Sequence, residues 1–342
     1  MSAIQDLLSH KTDLIDIKKI IEDNPWIIKR KQQCIISPDS DGLLSGLLLS
    51  YYLEWDVVGF YDGKVALIQK DVRVLNDRVC FIDIEIYRKG VRSMGHHMFS
   101  IYNTKLPDEW DKKLKFCIQP NLLRGYDRKS FRIKYPLATI HLLIKILEES
   151  GIKVKLLSDG IFPLLFVDGT YNVMFKYPEN VMDWWRYLQV QNSRILSYVF
   201  MNGKFSVFEL MKQMDSFFRE RDSISIKNER GDRLRISTTS GDPYNIEKLD
   251  SGFYQINSDA TRRIILFLSL LSKKTGWTFN PSKWHFTDLE KYQFEKSSFE
   301  ARGWRINQNN WKRLMELNPL SWAMTSQNNI EFTLEKPDRL PY

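Results

Sequence analysis

Short apolar runs of strand length alternate with longer runs at helical spacing, and the sharpest junction lies at Cys34-Ile35-Ile36-Ser37-Pro38-Asp39-Ser40-Asp41-Gly42. The apolar residues before Ser37 predict a buried strand, Pro38 ends it, and residues 43–53 predict a helix buried on most sides. Ahead of them, residues 4–30 place apolar positions at helical spacing up to Asn24-Pro25, which predicts one or two amphipathic helices. Residues 56–61 read as a second strand stopping at Asp62-Gly63, and residues 78–83 as a third, ending on Asp83. A helix between two strands is a crossover unit, and such units make parallel sheet.

Farther on, His96-His97 precedes a strand-like run to Ile101, residues 136–149 predict a helix, and residues 162–169 predict a strand ending at Asp168-Gly169. Residues 179–201 are helical and rich in aromatics, and Asn202-Gly203 is the expected domain boundary. Beyond it the pattern predicts a helix over 205–221, a hairpin of 223–226 with 234–237 around Arg230-Gly231-Asp232, and an apolar helix over 258–274. The last stretch mixes Trp284, Trp304, Trp311 and Trp322 with charges. The expected fold is α/β: a helical segment over 1–30, a parallel-sheet domain with helices on both faces over 31–201, and a C-terminal α+β domain over 202–342.

Length agrees with two domains, since 342 residues exceed the ~250–300 at which single cores stop growing. Hydrophobic content of 43% marks a globular chain, and no apolar run approaches the ~20 residues a bilayer requires. The start carries no basic and apolar leader, and three cysteines make no disulfide framework, so a cytoplasmic, reducing location is expected. A net charge of +8 favours an anionic partner, nucleic acid above all.

Candidate chemistry lies at the strand ends. Asp39 and Asp41, two residues apart in a tight loop, can converge on one cation; equally, Asp41 can cap the following helix with Gly42 allowing the turn. Asp83, His96, His97 and Asp168 each border a strand of one expected sheet, and in a strand the adjacent histidines point to opposite faces. Carboxylates with imidazole suit manganese, with zinc or magnesium as alternatives, and one or two such ions support phosphoryl displacement.

In that order the residues resemble the DHH phosphoesterase superfamily of single-strand exonucleases, short-oligonucleotide hydrolases, cyclic dinucleotide phosphodiesterases and inorganic pyrophosphatases. Asp39-Ser40-Asp41-Gly42 with Ser45 is similar to its first motif, Phe81-Ile82-Asp83 to the second, Gly95-His96-His97 to the naming motif and Val167-Asp168-Gly169-Thr170 to the fourth. The resemblance covers roughly residues 33–190. It implies that Asp39, Asp41, Asp83, His96 and Asp168 hold Mn²⁺, with Mg²⁺ as the alternative, and that His97 faces the scissile phosphate. Two positions depart from the pattern: Ser37 stands where many members carry an acid or histidine, and Gly95 where the aspartate of Asp-His-His is expected.

Residues 124–135 alternate cations with aromatics, so Arg124, Arg128, Lys129 and Arg132, with Ser45, are candidate substrate contacts; the other reading is a solvated loop. Three functions remain open. One is a metal-dependent phosphodiesterase on single-stranded or short nucleic acid, with His97 and Asp168 catalytic. Another is a catalytically weakened binding subunit whose tryptophan-rich C-terminal half meets a protein partner. The third is a hydrolase of a small phosphate compound.

Overall fold

A computed structural model describes residues 12–102, 108–226 and 230–342. The first described helix, α1 (Ile17–Asp23), is capped by Asp16, whose side chain accepts from Lys19 N. Residues 4–11 of the expected N-terminal helices lie outside the described residues.

β1 (Gln33–Ile36) runs into α2 (Ser40–Leu53), and β2 (Asp56–Tyr61), β3 (Val65–Gln69), β4 (Val79–Ile82) and β5 (Arg92–Met94) follow. Next come α3 (Asp108–Leu114), β6 (Cys117–Ile118), α4 (Pro120–Leu123), α5 (Thr139–Glu149), α6 (Ile161–Phe166), α7 (Thr170–Lys176), α8 (Pro178–Tyr187) and α9 (Arg194–Phe200). The remainder is α10 (Val207–Asp222), β7 (Ile246–Lys248), β8 (Tyr254–Ile256), α11 (Ser258–Thr275), β9 (Leu289–Ser298), α12 (Gln308–Glu316), β10 (Ser321–Ser326) and β11 (Asn329–Pro337).

The strands form one mixed sheet in the order β10-β11-β9-β3-β2-β1-β4-β5-β6, with β7 and β8 attached beside β9. It is parallel across β2-β1-β4-β5-β6 and antiparallel from β3 outward. The expected wholly parallel sheet is therefore corrected to a mixed one. β3 follows β2 after a short Asp62-Gly63 turn, too short for a crossover, so it must return antiparallel. Strands from beyond Asn202-Gly203 extend this same sheet through the β3–β9 pair. It also curls, because Met324 N donates to Met98 O (2.7 Å) and Tyr87 N to Leu320 O (2.8 Å).

Both sheet faces are covered. Cys34, Ile36, Cys80 and Ile82 join the main core with α2 and α5, whereas Ile35, Phe81 and Val58 point to a smaller core closed by Phe294, Leu320 and Leu340. That alternation is the period of a strand. The chain leaves β1 for β2 on one side and later takes β4 on the other, so the carboxyl ends of β1 and β4 make a topological switch point. A crevice forms there.

Three expected elements differ. Residues 161–169 are the helix α6 and a 3-10 turn, not a strand, because Ile161, Phe162, Leu164 and Leu165 are buried among helices on every side. Residues 98–101 form no strand; their carbonyls are taken singly, as Phe99 O is by Trp322 Nε1 (2.8 Å). Residues 234–237 form no hairpin ladder with 223–226, since Leu234 N donates instead to Pro38 O (2.7 Å) and Ser237 bridges Pro243. Residues 227–229 of that expected hairpin lie outside the described residues. Trp284 and Trp322 are core residues, Trp322 packing on Tyr87, Phe99, Trp110 and Trp311, so neither offers a partner surface.

Candidate metal centre

Pro38, which has no N–H to continue a ladder, ends the first strand region, and Asp39 caps α2 by accepting from Asp41 N and Gly42 N, both at 3.2 Å. The turn is so tight that a Cβ on Gly42 would overlap the Ser37 carbonyl oxygen. Asp41 is fully buried and accepts from Thr139 N (2.7 Å) and Ile140 N (3.1 Å), the first amides of α5, whose N-cap Ala138 has no polar side chain to do so. Asp39, not Asp41, is therefore the cap of α2, and Asp41 serves a different helix. Ser45 is buried behind Asp41, 3.5 Å from Oδ1, and supports that carboxylate rather than facing solvent.

Asp41, Asp83, His96 and Asp168 each place one ligand atom within 4.8 Å of the others. Asp83 and Asp168 hold left-handed backbones, φ 63° and 50°, a conformation aspartate tolerates better than most residues and one that recurs at functional sites. Ser37 Oγ lies 2.5 Å from Asp83 Oδ2 and 2.9 Å from Asp39 Oδ1. One hydroxyl proton serves one of them at a time.

Hydrogen-bond directions fix the imidazole of His96. Thr139 Oγ1 donates to Asp83 Oδ1 (2.7 Å), so at its contact with His96 Nδ1 (2.9 Å) it accepts and Nδ1 carries the proton. The neutral ring then turns the lone pair of Nε2 on Asp168 Oδ2, 3.3 Å away. Two lone pairs facing each other need a proton or a cation between them. Burial, reinforced by the Asp83 and Asp168 carboxylates, raises Asp39 to about 7 despite bonds from Gly42 and Ser37. Burial and the same neighbours hold Asp41 well above the carboxylate range. Asp83 goes the other way: burial acts to raise it, but bonding and attraction from His96, with His97 and Ser37, hold it low. Two buried carboxylates and a third, more exposed one crowded this closely, with an imidazole already fixed through its other nitrogen, fit a divalent cation.

His96 and His97 do not diverge. Their rings stack 4.6 Å apart because residues 95–97 are not in a strand. Gln119 Nε2 donates to His97 O and Asn121 Nδ2 to His96 O, while Glu85, a buried acid, accepts from His97 N (2.7 Å) and faces its Nδ1 (3.2 Å). Desolvation works to lower His97, yet Glu85, with Asp83 and Asp168 beyond it, raises it to about 10.

Asp39, Asp83, Glu85 and His97 open on a cavity of about 690 Å³ whose lining also includes Lys64, Arg230, Arg233, Arg235 and Lys296. Sequence reading missed these cations and Glu85. The 230–239 segment reaches the acids through the Leu234–Pro38 bond, and it is held from the turn before β3 by Lys64 Nζ on Thr238 O (2.9 Å). The basic stretch at 124–135 lies elsewhere. Arg124 is buried, paired with Asp13 (2.8 Å) and Asp183 (2.6 Å), and stacked on Trp184 and Tyr187. Arg128 holds the β10–β11 turn through Gln327 O (2.7 Å) and Asn328 Oδ1 (2.9 Å), and Lys129 and Arg132 are exposed and do not line the cavity.

Among the described residues no helix is long and apolar enough to cross a membrane. Compared with protein-family models, curated proteins and solved structures, the chain has no match in any of the three.

Proposed function

We propose that this chain is a metal-dependent phosphodiesterase of the DHH type, acting on single-stranded or short nucleic acid. One observation carries the reading: Asp41, Asp83, His96 and Asp168, far apart in sequence and in the order of that superfamily's motifs, have ligand atoms within 4.8 Å of one another at a sheet switch point. On this reading Asp41, Asp83, His96 and Asp168, with Asp39 beside them, hold the ion. Manganese, with magnesium as the alternative, lowers the pKa of water and neutralises charge on phosphate.

The remaining roles belong to the protein. His97 presents Nε2 to the cleft, where it donates to a phosphate oxygen, and its ring is set by Glu85. Arg233 is exposed and has no ion-pair partner among the described residues, so it is free to meet a second phosphate. Tyr61, Trp322 and Phe332 border the cavity but are buried, so among the described residues none of its aromatic rings is open for base stacking; contacts with cations favour backbone over base recognition.

Ser37, a hydroxyl between two carboxylates where an acid is common in the superfamily, favours a second reading, a binding subunit with weakened catalysis. The test is cleavage of a labelled single strand with Mn²⁺ and with EDTA, for the native chain and for Asp83→Ala. Metal-dependent cleavage by the native chain alone supports the hydrolase. Absence of cleavage, with oligonucleotide binding retained in EDTA, would replace it with the binding subunit.

A further inference from the structure

Glu85 is a buried acid whose two oxygens both go to one residue. Oε1 accepts from the backbone of His97 at 2.7 Å and Oε2 meets its Nδ1 at 3.2 Å. Burying a carboxyl group is costly without such partners. The chain is bent to bring it there: Ile84 N donates to Met94 O (3.0 Å) and Ile86 N to Ser93 Oγ (3.2 Å), folding residues 84–86 under 93–97.

Gly95 completes the arrangement. A Cβ at position 95 would lie 2.6 Å from the Glu85 carboxyl carbon and 2.7 and 2.8 Å from its oxygens, closer than real Cβ contacts. The space beside the histidines therefore admits the Glu85 carboxyl or a side chain on residue 95, but not both. From the opposite side, Gln119 and Asn121 fix the carbonyls of His97 and His96. The backbone carbonyls are held without Glu85, and what Glu85 adds is an acceptor for His97 N and a partner for Nδ1.

We infer that Glu85 is the positioning residue of the site: its carboxylate, entering through the space left by Gly95, holds His97 by an Nδ1–H and turns Nε2–H to the cleft. Its effect on turnover rests on the phosphodiesterase reading, whereas its effect on the ring does not. A glutamine at 85 retains the carbonyl that accepts from His97 N but turns an NH₂ group on Nδ1, which must then accept, so the ring gives up its Nδ1 proton without loss of packing.

The experiment is nitrogen NMR of the metal-free protein labelled at its five histidines, with His97→Gln identifying the His97 signals, on native, Glu85→Gln, Glu85→Ala and the exchange variant Glu85→Ala with Gly95→Asp. Native His97 is expected to carry a proton on Nδ1 as well as on Nε2, and Glu85→Gln to carry one on Nε2 only. In parallel, Glu85→Gln and Glu85→Ala are expected to lower kcat by about 10–100-fold with KM little changed. The exchange variant returns a carboxylate to the same space and should recover most of that loss, which a merely structural role for Glu85 would not produce. An Nδ1 proton retained on His97 in Glu85→Gln would overturn the inference, as would native kcat in Glu85→Ala. Should the native chain cleave nothing with any metal, the phosphodiesterase reading fails, and the NMR result alone decides the role of Glu85.

Discussion

Replacing Asp168 with asparagine should make the metal-free protein more stable and the metal-loaded protein less so. Asparagine tolerates the left-handed backbone at φ 50° as aspartate does, so the substitution removes a charge and brings an amide NH₂ to the His96 Nε2 that Asp168 Oδ2 faces at 3.3 Å. Two unit charges 4.8 Å apart, the outer limit of the ligand cluster, interact by about 3.5 kcal/mol at an effective dielectric near 20. The Asp168 side chain is 33% exposed, and solvent screening brings relief of repulsion with Asp41 and Asp83 down to about 1 kcal/mol. In a chain of this length that is about 1–2 °C in Tm.

With the ion present the sign reverses. A ligand at one hundred times its Kd adds about 2.7 kcal/mol, and a tenfold weaker site forfeits about 1.4 kcal/mol of it. Scanning calorimetry of both proteins in EDTA and in Mn²⁺ should therefore show the two stabilities crossing. A variant that melts below the native chain in EDTA, or that gains as much from Mn²⁺, refutes the reasoning.

Other consequences are simpler to read. Arg124→Ala leaves Asp183 with Arg186 alone (2.7 Å) and removes the guanidinium from its aromatic stack, so it should lower urea stability by less than the ~3–5 kcal/mol of a wholly unpaired buried charge; an unaltered midpoint would return Arg124 to the candidate substrate contacts. His141 accepts from Ala138 N (3.0 Å) and donates to Leu164 O (3.0 Å), and burial lowers it to about 3. The unfolded chain binds the proton first as pH falls, so this stability is complete above pH ~6.5 and declines towards pH 3 by up to about 1.4 kcal/mol per unit; His141→Gln should flatten that slope, and an identical slope would contradict it. Arg233→Ala should weaken oligonucleotide binding and lower its salt slope by about one, and unchanged affinity would remove Arg233 from the cleft's contacts.

What was legible in the sequence is the centre of the molecule. Cys34–Ile36, the proline stop and the leucine-rich helix are local features, and the acids beside them could be ordered along the chain without knowing the pairing. Asp168 was found on the wrong element because a six-residue apolar run cannot distinguish a buried strand from a buried helix by its period. Glu85 and Gly95 each look ordinary alone, and their relation exists only once residues 84–86 fold under 93–97. The cations of the cleft arrive from the turn before β3, from β9 and from the 230–239 segment, through contacts separated by well over a hundred residues. Residues 124–135 misled because alternating cations and aromatics serve a buried guanidinium as well as they serve a nucleic acid.

The most direct measurement is titration calorimetry of Mn²⁺ into the native chain and into the double variant Asp83→Ala with His96→Ala, with circular dichroism verifying that both are folded. Saturable binding of one or two ions by the native chain, abolished in the variant, is the predicted result. No heat at millimolar Mn²⁺ from a folded native chain, or equal binding by the variant, would contradict a metal centre at Asp41, Asp83, His96 and Asp168.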